Sequence, residues 1–591
     1  MLSCDVSDKK LRWLKSIRRI RIFVATYAPP LEDLAADIFF TRDNSAERRQ
    51  RFVARLCWAG VAAGAGLRLW QFAAGPAMWL DELAIARNVT QRSLTDLMTR
   101  PLSWDQSAPK GFLALEKLST LAFGANDYAL RLFPFLCSLL ALWCFAAAAR
   151  RIFSGLGAPV AIALFAFAGP LIDYGSRVKP YTVDLAAAAV LLLVVLDLQS
   201  AAVTPRKAHR AGAAGACAVC VSQIAPLLLG SLAACLCVPA LRAWRAGRAA
   251  DRAQLKALGL LAAWWFIALF AALAAFRGMT RATTDFLHDY WAEGFPPSSL
   301  AGEMRTFWPF GELLNLLGRG APACLAYPAP WFYLALACCG LAALLRMRRE
   351  AGLAVAAPLF AALAAAAAGQ YPFSDRLILF LYPVLFLCLA AGMSWLAGKF
   401  PGAALLAVLP ALLGLSPTLQ TLPPYQIEDV KPLLSYLREN WRPGDRLYAD
   451  YGAGPPMMFY GRSYGFAEKD YLQGGCHRGA GAWRDYLRAV DRLRGRPRVW
   501  VLIAHAEPPY GERATLKAYL DRIGIGSLDM KVFLRTVSSK GDYAPAELLL
   551  YDLSVPGRLG QAGADAFSFV GREDDRTCTQ GPLSMVRERL D

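Results

Sequence analysis

The chain has 591 residues, 56% of them hydrophobic and only 19% charged, with a mean hydropathy of +0.33. That is too apolar for an ordinary soluble protein of this size and makes a membrane protein the first inference. The formal charge of +18 does not point to nucleic acid, because Lys and Arg fall in short clusters between apolar segments, as at Arg150–Arg151 and Arg346–Arg349, the pattern of membrane topology.

Residues 1–52 are basic and mixed (KKLRWLKSIRRIRIF) and contain no apolar stretch ending in a small-residue cleavage site, so the first span is expected to be retained. Apolar stretches long enough to cross roughly 30 Å of hydrocarbon follow at about 53–75, 128–149, 158–175, 181–201, 257–276, 329–345, 351–369, 376–397 and 402–419. The stretch at about 211–241 is too long for one span and is interrupted by SQIAP, Ser222–Pro226, which predicts two shorter helices or a re-entrant pair. The total is about eleven crossings. Positive charge collects on alternate connections: RRQRFVAR before the first span, Arg150–Arg151, PRKAHR, RAWRAGRAADR and Arg346–Arg349. These are expected to face the cytoplasm, with the amino terminus inside and segments 76–127, 277–328 and 420–591 outside.

After about residue 420 the chain turns polar, mixing an amphipathic stretch (IEDVKPLLSYLREN) with β-like runs (RLYADY, RVWVLIAHA, AELLLYDLS). The expected fold class is therefore an α-helical polytopic membrane domain, 53–419, followed by a small extracytoplasmic α/β domain, 420–591. Most of the 14 cysteines lie in apolar segments, and the CxxC of Cys217 and Cys220 lacks a second Cys or His pair, so it reads as small hydrophobes. Cys476 and Cys578 lie in the polar part, where a disulfide is expected in an oxidising compartment.

Carboxylates and cations gather at one set of helix ends. The first external segment opens with MWLDELAIARNV, bringing Asp81 and Glu82 to the membrane surface. Alone, such a pair is a helix start, since acidic residues offset the macrodipole. The same topology delivers Lys110, Arg131, Asp173, Arg177, Lys179, Tyr181, Asp184 and Arg376 to that face, and charges so near hydrocarbon usually face a protein interior or a wet cavity. Structural pairing is the competing reading for each, Arg68 above all. A carboxylate among cations suits an acceptor hydroxyl attacking a sugar whose leaving group is a phosphate. His288 beside Asp289 reads as surface, and Trp291, Trp308 and Tyr290 read as interfacial anchors or a sugar platform.

Taken in order, Asp81–Glu82, APKGFLALEKL, FGANDYALRLFPFLCSLLALW, SRVKPYTVDLA and YPFSDRLILFLYPVLFLCLAAG resemble the GT-C superfamily of integral-membrane glycosyltransferases. The similarity is to the branch holding the protein O-mannosyltransferases and the bacterial lipid A aminoarabinose transferase, over residues 53–419. The resemblance implies that Asp81 activates the acceptor with Glu82 beside it, that Lys110 and Arg376 approach the donor phosphate with Lys179, Arg177 and Arg131, and that the second acid is Asp173 or Asp184, supported by Tyr181. Lys110 follows one proline where the aminoarabinose branch has lysine followed by two, which departs from that substrate. The resemblance further implies a polyprenyl-phosphate-sugar donor, a lipid, glycan or protein acceptor, inversion at the sugar carbon, a multi-pass protein of the bacterial inner membrane, and no certain cofactor, a divalent cation being left open. Competing classes are a flippase or transporter of lipid-linked sugars, which would place charges near the bilayer midplane and show a repeat, and a non-catalytic envelope polysaccharide assembly protein.

Overall fold

The computed structural model describes residues 45–200, 202–246, 249–276, 281–296, 304–320, 330–400, 422–476, 482–506, 511–532, 545–570 and 584–586. The chain divides into two compact units, Met1–Ala59 and Gly60–Asp591. The described part of the first is the opening of helix α1, Ser45–Ala74, where Glu47 and Arg51 approach to 3.9 Å. Everything below concerns the second unit.

Among the described residues six helices are long and apolar enough to cross a bilayer: 47–74, 127–152, 181–200, 252–271, 349–367 and 375–399. The predicted span at 158–175 is a bent pair instead, Gly157–Ala166 and Gly169–Ser176, meeting at 60°. Pro170 in the first turn of its second piece supplies no N–H to continue the ladder, which breaks the rod there. The interruption expected at SQIAP is present, separating Pro205–Val221 from Ala225–Ala246. Helices Ala249–Phe276, Pro330–Met347 and Arg349–Ala367 cover three further predicted spans, while 402–419 lies outside the described residues.

Four helices carry the site: α2 (Leu80–Gln91), α3 (Asp127–Ile152), α4 (Tyr181–Ser200) and α5 (Tyr382–Lys399), the last entered through a 3-10 turn, Asp375–Leu381. The start of α3 shows why these boundaries fall where they do. Asn126 accepts the Ala129 N–H at 3.0 Å, Asp127 lies in the first turn and Arg150 and Arg151 in the last, each placed to offset an end of the macrodipole. Further along, α5 lies hard against Pro330–Met347: a Cβ on Gly340 would strike the Cys388 carbonyl and one on Gly392 the Leu336 carbonyl. Such close backbone approach is available only to small residues.

The C-terminal part is the expected α/β domain. Strands β1 (Arg446–Ala449), β2 (Tyr471–Gln473), β3 (Val499–Ile503), β4 (Ile525–Lys531) and β5 (Glu547–Asp552) form one sheet in the order β2-β1-β3-β5-β4. β1 pairs parallel with β2 and β3, with Leu447 opposite Tyr471 and Trp500. β5 runs antiparallel to β3 and β4. All five residues of β3 are buried, as a central strand covered on both faces requires. Tyr448, Val501 and Leu549 of the sheet meet Tyr486, Leu487, Leu516 and Tyr519 of the covering helices in one core. Cys476 is disulfide-bonded, and its expected partner Cys578 lies outside the described residues.

This domain fastens to the helices beside the site. Leu80 and Ala84 of α2 pack with Tyr451, Met585 and Val586. Gln71 of α1 donates to the Tyr425 carbonyl at 2.9 Å and accepts its N–H at 2.6 Å. Lys431 bonds the Gly75 carbonyl at 2.6 Å and pairs with Asp127. Gly75 has φ +51, and a Cβ there would lie 2.9 Å from the Tyr128 hydroxyl, so the turn leading from α1 to α2 needs glycine.

Candidate active site

Where α1 ends, α2, α3 and α4 begin, and their ends bring the charged side chains together. Helix α2 starts through Glu82, whose Oε2 accepts the Trp79 N–H at 3.0 Å, tying back the first turn as a capping acid does. The same carboxylate reaches the connection before α4, accepting the Val178 N–H at 2.9 Å and Arg177 Nη1 at 3.3 Å. Arg177 in turn clasps Asp173 with two bonds, Nε to Oδ1 and Nη2 to Oδ2, each 2.9 Å. This fork-to-carboxylate geometry is the strongest arrangement available to the pair. Glu82, Asp173 and Arg177 are all buried, and together they lock residues 173–178 onto α2.

Locking that connection presents Lys179 and Asp81. Asp81 Oδ2 lies 3.4 Å from Lys179 Nζ and 3.7 Å from Arg376 Nη2. Lys179 also donates to Gln106 Oε1 at 2.8 Å, while Arg376 Nε donates to the Tyr181 hydroxyl at 3.3 Å. The Arg376 guanidinium lies 4.9 Å from the Trp291 ring centroid and 6.0 Å from that of Tyr181, so its aim is set by aromatic faces as well as by charge. Burial acts to raise the Asp81 carboxyl, but Lys179, Arg376 and Arg177 outweigh it and hold the group below its ordinary value. For Lys179 burial wins, lowering the ammonium despite Asp81. Asp81 is thus an ionised carboxylate, and Arg376 divides its charge between Asp81 and Asp375, whose Oδ2 lies 3.8 Å from Nη1.

Two cavities flank the Glu82–Arg177–Asp173 wall. One, partly open to solvent, is lined by Asp173, Glu312, Asn315, Asp375 and Arg376 together with Pro170, Tyr174, Leu316, Leu379 and Tyr382. The other, small and likewise partly open, is bounded by Gln71, Trp79, Glu82, Arg131, Asp173, Arg177, Tyr425 and Glu428 among others. The structure therefore brings together Asp81, Glu82, Asp173, Arg177, Lys179, Tyr181 and Arg376.

Three expected members stand apart. Lys110 is spent elsewhere: it donates to the Leu97 and Arg100 carbonyls at 3.0 and 3.3 Å, the natural use of a cation at the end of helix Leu94–Thr99. Asp184 accepts the Ser222 hydroxyl at 2.6 Å and the Gln223 N–H at 3.0 Å, so it caps the broken helix pair, and of the two candidate second acids Asp173 is the one in the cluster. Arg131 has no ion pair to the Asp81 group and lines the second cavity. Arg68 takes the structural reading, bonding Ser138, Gly64, Ala166 and Phe165 at 2.9–3.2 Å. His288 is exposed and stacks on Phe295 at 4.7 Å.

Gln106, Asp375, Glu428 and the Arg376-supporting role of Trp291 were not expected from the sequence. Only Asp375, adjacent to Arg376 in SDRL, carried a signal that could have found it. As for the cation left open, among the described residues no group of three or more His, Cys, Asp or Glu converges as a metal site, and Asp81 and Asp173 each face Lys or Arg.

No protein-family model matches the chain, and no curated protein does. Among solved structures it is similar to ArnT from Cupriavidus metallidurans in the apo state, at 12% identity and a TM-score of 0.45, covering 86% of this chain and 99% of that one. A second ArnT structure, bound to undecaprenyl phosphate, gives 12% and 0.44 over 87% and 100%. The oligosaccharyltransferase of Archaeoglobus fulgidus, in complex with Zn and sulfate, gives 13% and 0.41 over 83% and 72%. These are proteins of the superfamily that the sequence motifs resemble. At such identities and scores the likeness carries no statement about chemistry, which rests on the residues of this chain.

Proposed function

We propose that the protein is a membrane glycosyltransferase of the GT-C kind that moves a sugar from a polyprenyl-phosphate carrier to an acceptor hydroxyl. The observation that carries this reading is the Asp81 carboxylate lying within 3.4 and 3.7 Å of Lys179 and Arg376, the second of which also lines a cavity. In the reaction, Asp81 takes the proton of the acceptor hydroxyl as its oxygen forms a bond to the anomeric carbon. The carbon–oxygen bond to phosphate breaks in the same displacement, inverting the centre, and its electron pair leaves with the phosphate. Lys179 and Arg376 receive that charge. Before the donor arrives, Asp81 is their counter-ion. Once phosphate replaces it, the carboxylate loses two stabilising cations and becomes a better base at the moment it is needed.

Glu82, Asp173 and Arg177 act here as positioning residues, since they fix residues 173–178 and through them Lys179. The charge pattern of the connections supports an orientation with the amino terminus cytoplasmic and the 420–591 domain extracytoplasmic, in a bacterial inner membrane, with about eleven crossings in all. There nucleotide sugars are scarce and a lipid-linked donor is the natural one. The acceptor is a lipid, glycan or protein.

The test is Asp81→Asn. Mass spectrometry of envelope glycolipids and glycoproteins is compared among a deletion strain and strains complemented with the native or variant chain. Loss of a general base lowers transfer by about 10²–10⁴-fold, so the product should vanish although the variant inserts and melts normally. An identical product profile in all three strains would remove the transferase reading.

A further inference from the structure

The second cavity contains a charge the mechanism above does not use. Arg131 is 2% exposed, and its Nε and Nη1 have no hydrogen-bond partner, a costly state for a buried guanidinium unless a ligand completes it. The neighbouring carboxylates are committed. Glu82 and Asp173 hold Arg177, and Asp127 is paired with Lys431 and the Tyr460 hydroxyl. Asp429 accepts the Ala77 and Lys431 N–H groups, both at 3.2 Å. None forms an ion pair with Arg131. Glu428, on the opposite wall, accepts the His505 N–H, and burial raises its carboxyl to about 8, so near neutral pH it is mostly protonated and does not neutralise the cavity.

Resting on the glycosyltransferase reading, we infer that this small cavity binds an oxyanion of the acceptor, a phosphate or carboxylate, through Arg131, so that the acceptor is an anionic glycan or lipid rather than a neutral one. The Glu82–Arg177–Asp173 wall keeps this anion apart from the donor phosphate at Lys179 and Arg376. Tyr425, Gln426, Ile427 and Glu428 line the same cavity, so the segment entering the α/β domain forms its far side. Trp79 lies between the cavity and the His505 ring, whose centroid is 4.5 Å away. An acceptor group seated here therefore touches the residue that opens α2, two positions before Asp81.

The test uses the full-length protein in detergent, with inorganic phosphate and acetate as probes and chloride at equal ionic strength as control. Melting temperature is the readout, because a ligand bound to the native state raises it. Phosphate, and acetate if the site takes carboxylates, should raise the melting temperature of the native protein and of a Lys179→Met/Arg376→Met double variant. Added to that double variant, where the donor-side cations are absent, Arg131→Gln should need at least tenfold more phosphate for the same effect. Should Arg131→Gln not fold, Ala77→Asp serves instead, since it keeps the guanidinium and supplies its own carboxylate, and the phosphate effect should again be lost.

A full phosphate response when Arg131→Gln or Ala77→Asp is added to the double variant, or its loss in the double variant itself, overturns the inference. In transfer assays the Arg131 variant should raise the acceptor KM tenfold or more and leave the donor KM unchanged. Phosphate binding without any transfer activity would sink the transferase reading instead, whereas transfer without phosphate binding at Arg131 sinks this inference alone.

Discussion

Replacing Lys179 by Met removes one of the two cations assigned to the leaving phosphate and keeps the volume of the side chain. The size of the effect follows from distance. At an effective dielectric of about 20, unit charges separated by the 3.4 Å between Lys179 and Asp81 attract by about 5 kcal/mol. A phosphate that displaces Asp81 from Lys179 would sit at a similar range. Only the charge that develops between ground and transition state accelerates the reaction. If roughly half a unit has gathered on the leaving oxygen, the differential term is about 2.5 kcal/mol, or about 70-fold in rate.

The assay is the initial rate of sugar transfer in proteoliposomes supplied with lipid extract from native membranes, beside the melting temperature of each variant. Lys179→Met should lower kcat by about two orders of magnitude, and Lys179→Arg, which keeps the charge, should recover most of that loss. A Lys179→Met rate within about threefold of the native protein would refute the reasoning. So would a loss that merely tracks the unfolded fraction.

Two further outcomes follow. Lys110→Met should leave transfer within about threefold, because its ammonium serves two carbonyls outside the cluster, and should lower stability by about 1–2 kcal/mol for the two bonds lost, measured by thermal melting. Glu428 gives a pH signature. Burial raises its carboxyl from 4.5 to about 8 in the folded protein, so between those values the native state holds a proton that the unfolded chain releases. Its contribution to stability therefore declines as pH rises from about 5 to 8, and Glu428→Gln should flatten the fall in melting temperature across that window. An equal slope in both proteins would show that Glu428 is ionised when folded.

Which parts of the site were legible follows from what an apolar sequence makes conspicuous. Asp81, Glu82, Arg177, Lys179 and Arg376 stand out because a charge at the end of a hydrophobic stretch is costly and must face something polar. What each one faces is a different kind of information. Lys110 shares a loop with Asp81, and nearness in sequence suggested nearness in space, yet the short helix Leu94–Thr99 intervenes and its carbonyls take the ammonium.

The choice between Asp173 and Asp184 was legible only in part. Asp173 and Arg177 are four apart, the spacing of neighbours on a helical turn, whereas Asp184 had a competing use in the SQIAP break, whose exposed N–H and hydroxyl it accepts. Gln106, Trp291 and Glu428 gave no such signal, since each reaches the site through contacts made only once distant segments pack. The same limit hid β2 and β4 of the C-terminal sheet. β2 has three residues, and five of the seven in β4 are exposed, so neither shows the apolar run that marks a strand.

The committed and uncommitted charges together distinguish a site from a structural network. Arg68 and the Glu82–Arg177–Asp173 group are satisfied within the protein, and such groups specify a fold. Asp81 is shared by two cations, one of which also meets Asp375, and Nε and Nη1 of Arg131 have no hydrogen-bond partner. Among apolar helices, where charge is costly, two cationic positions beside one satisfied wall are retained at a cost to stability. Anionic groups supplied from outside the chain, one on the donor and one on the acceptor, would offset that cost on both sides.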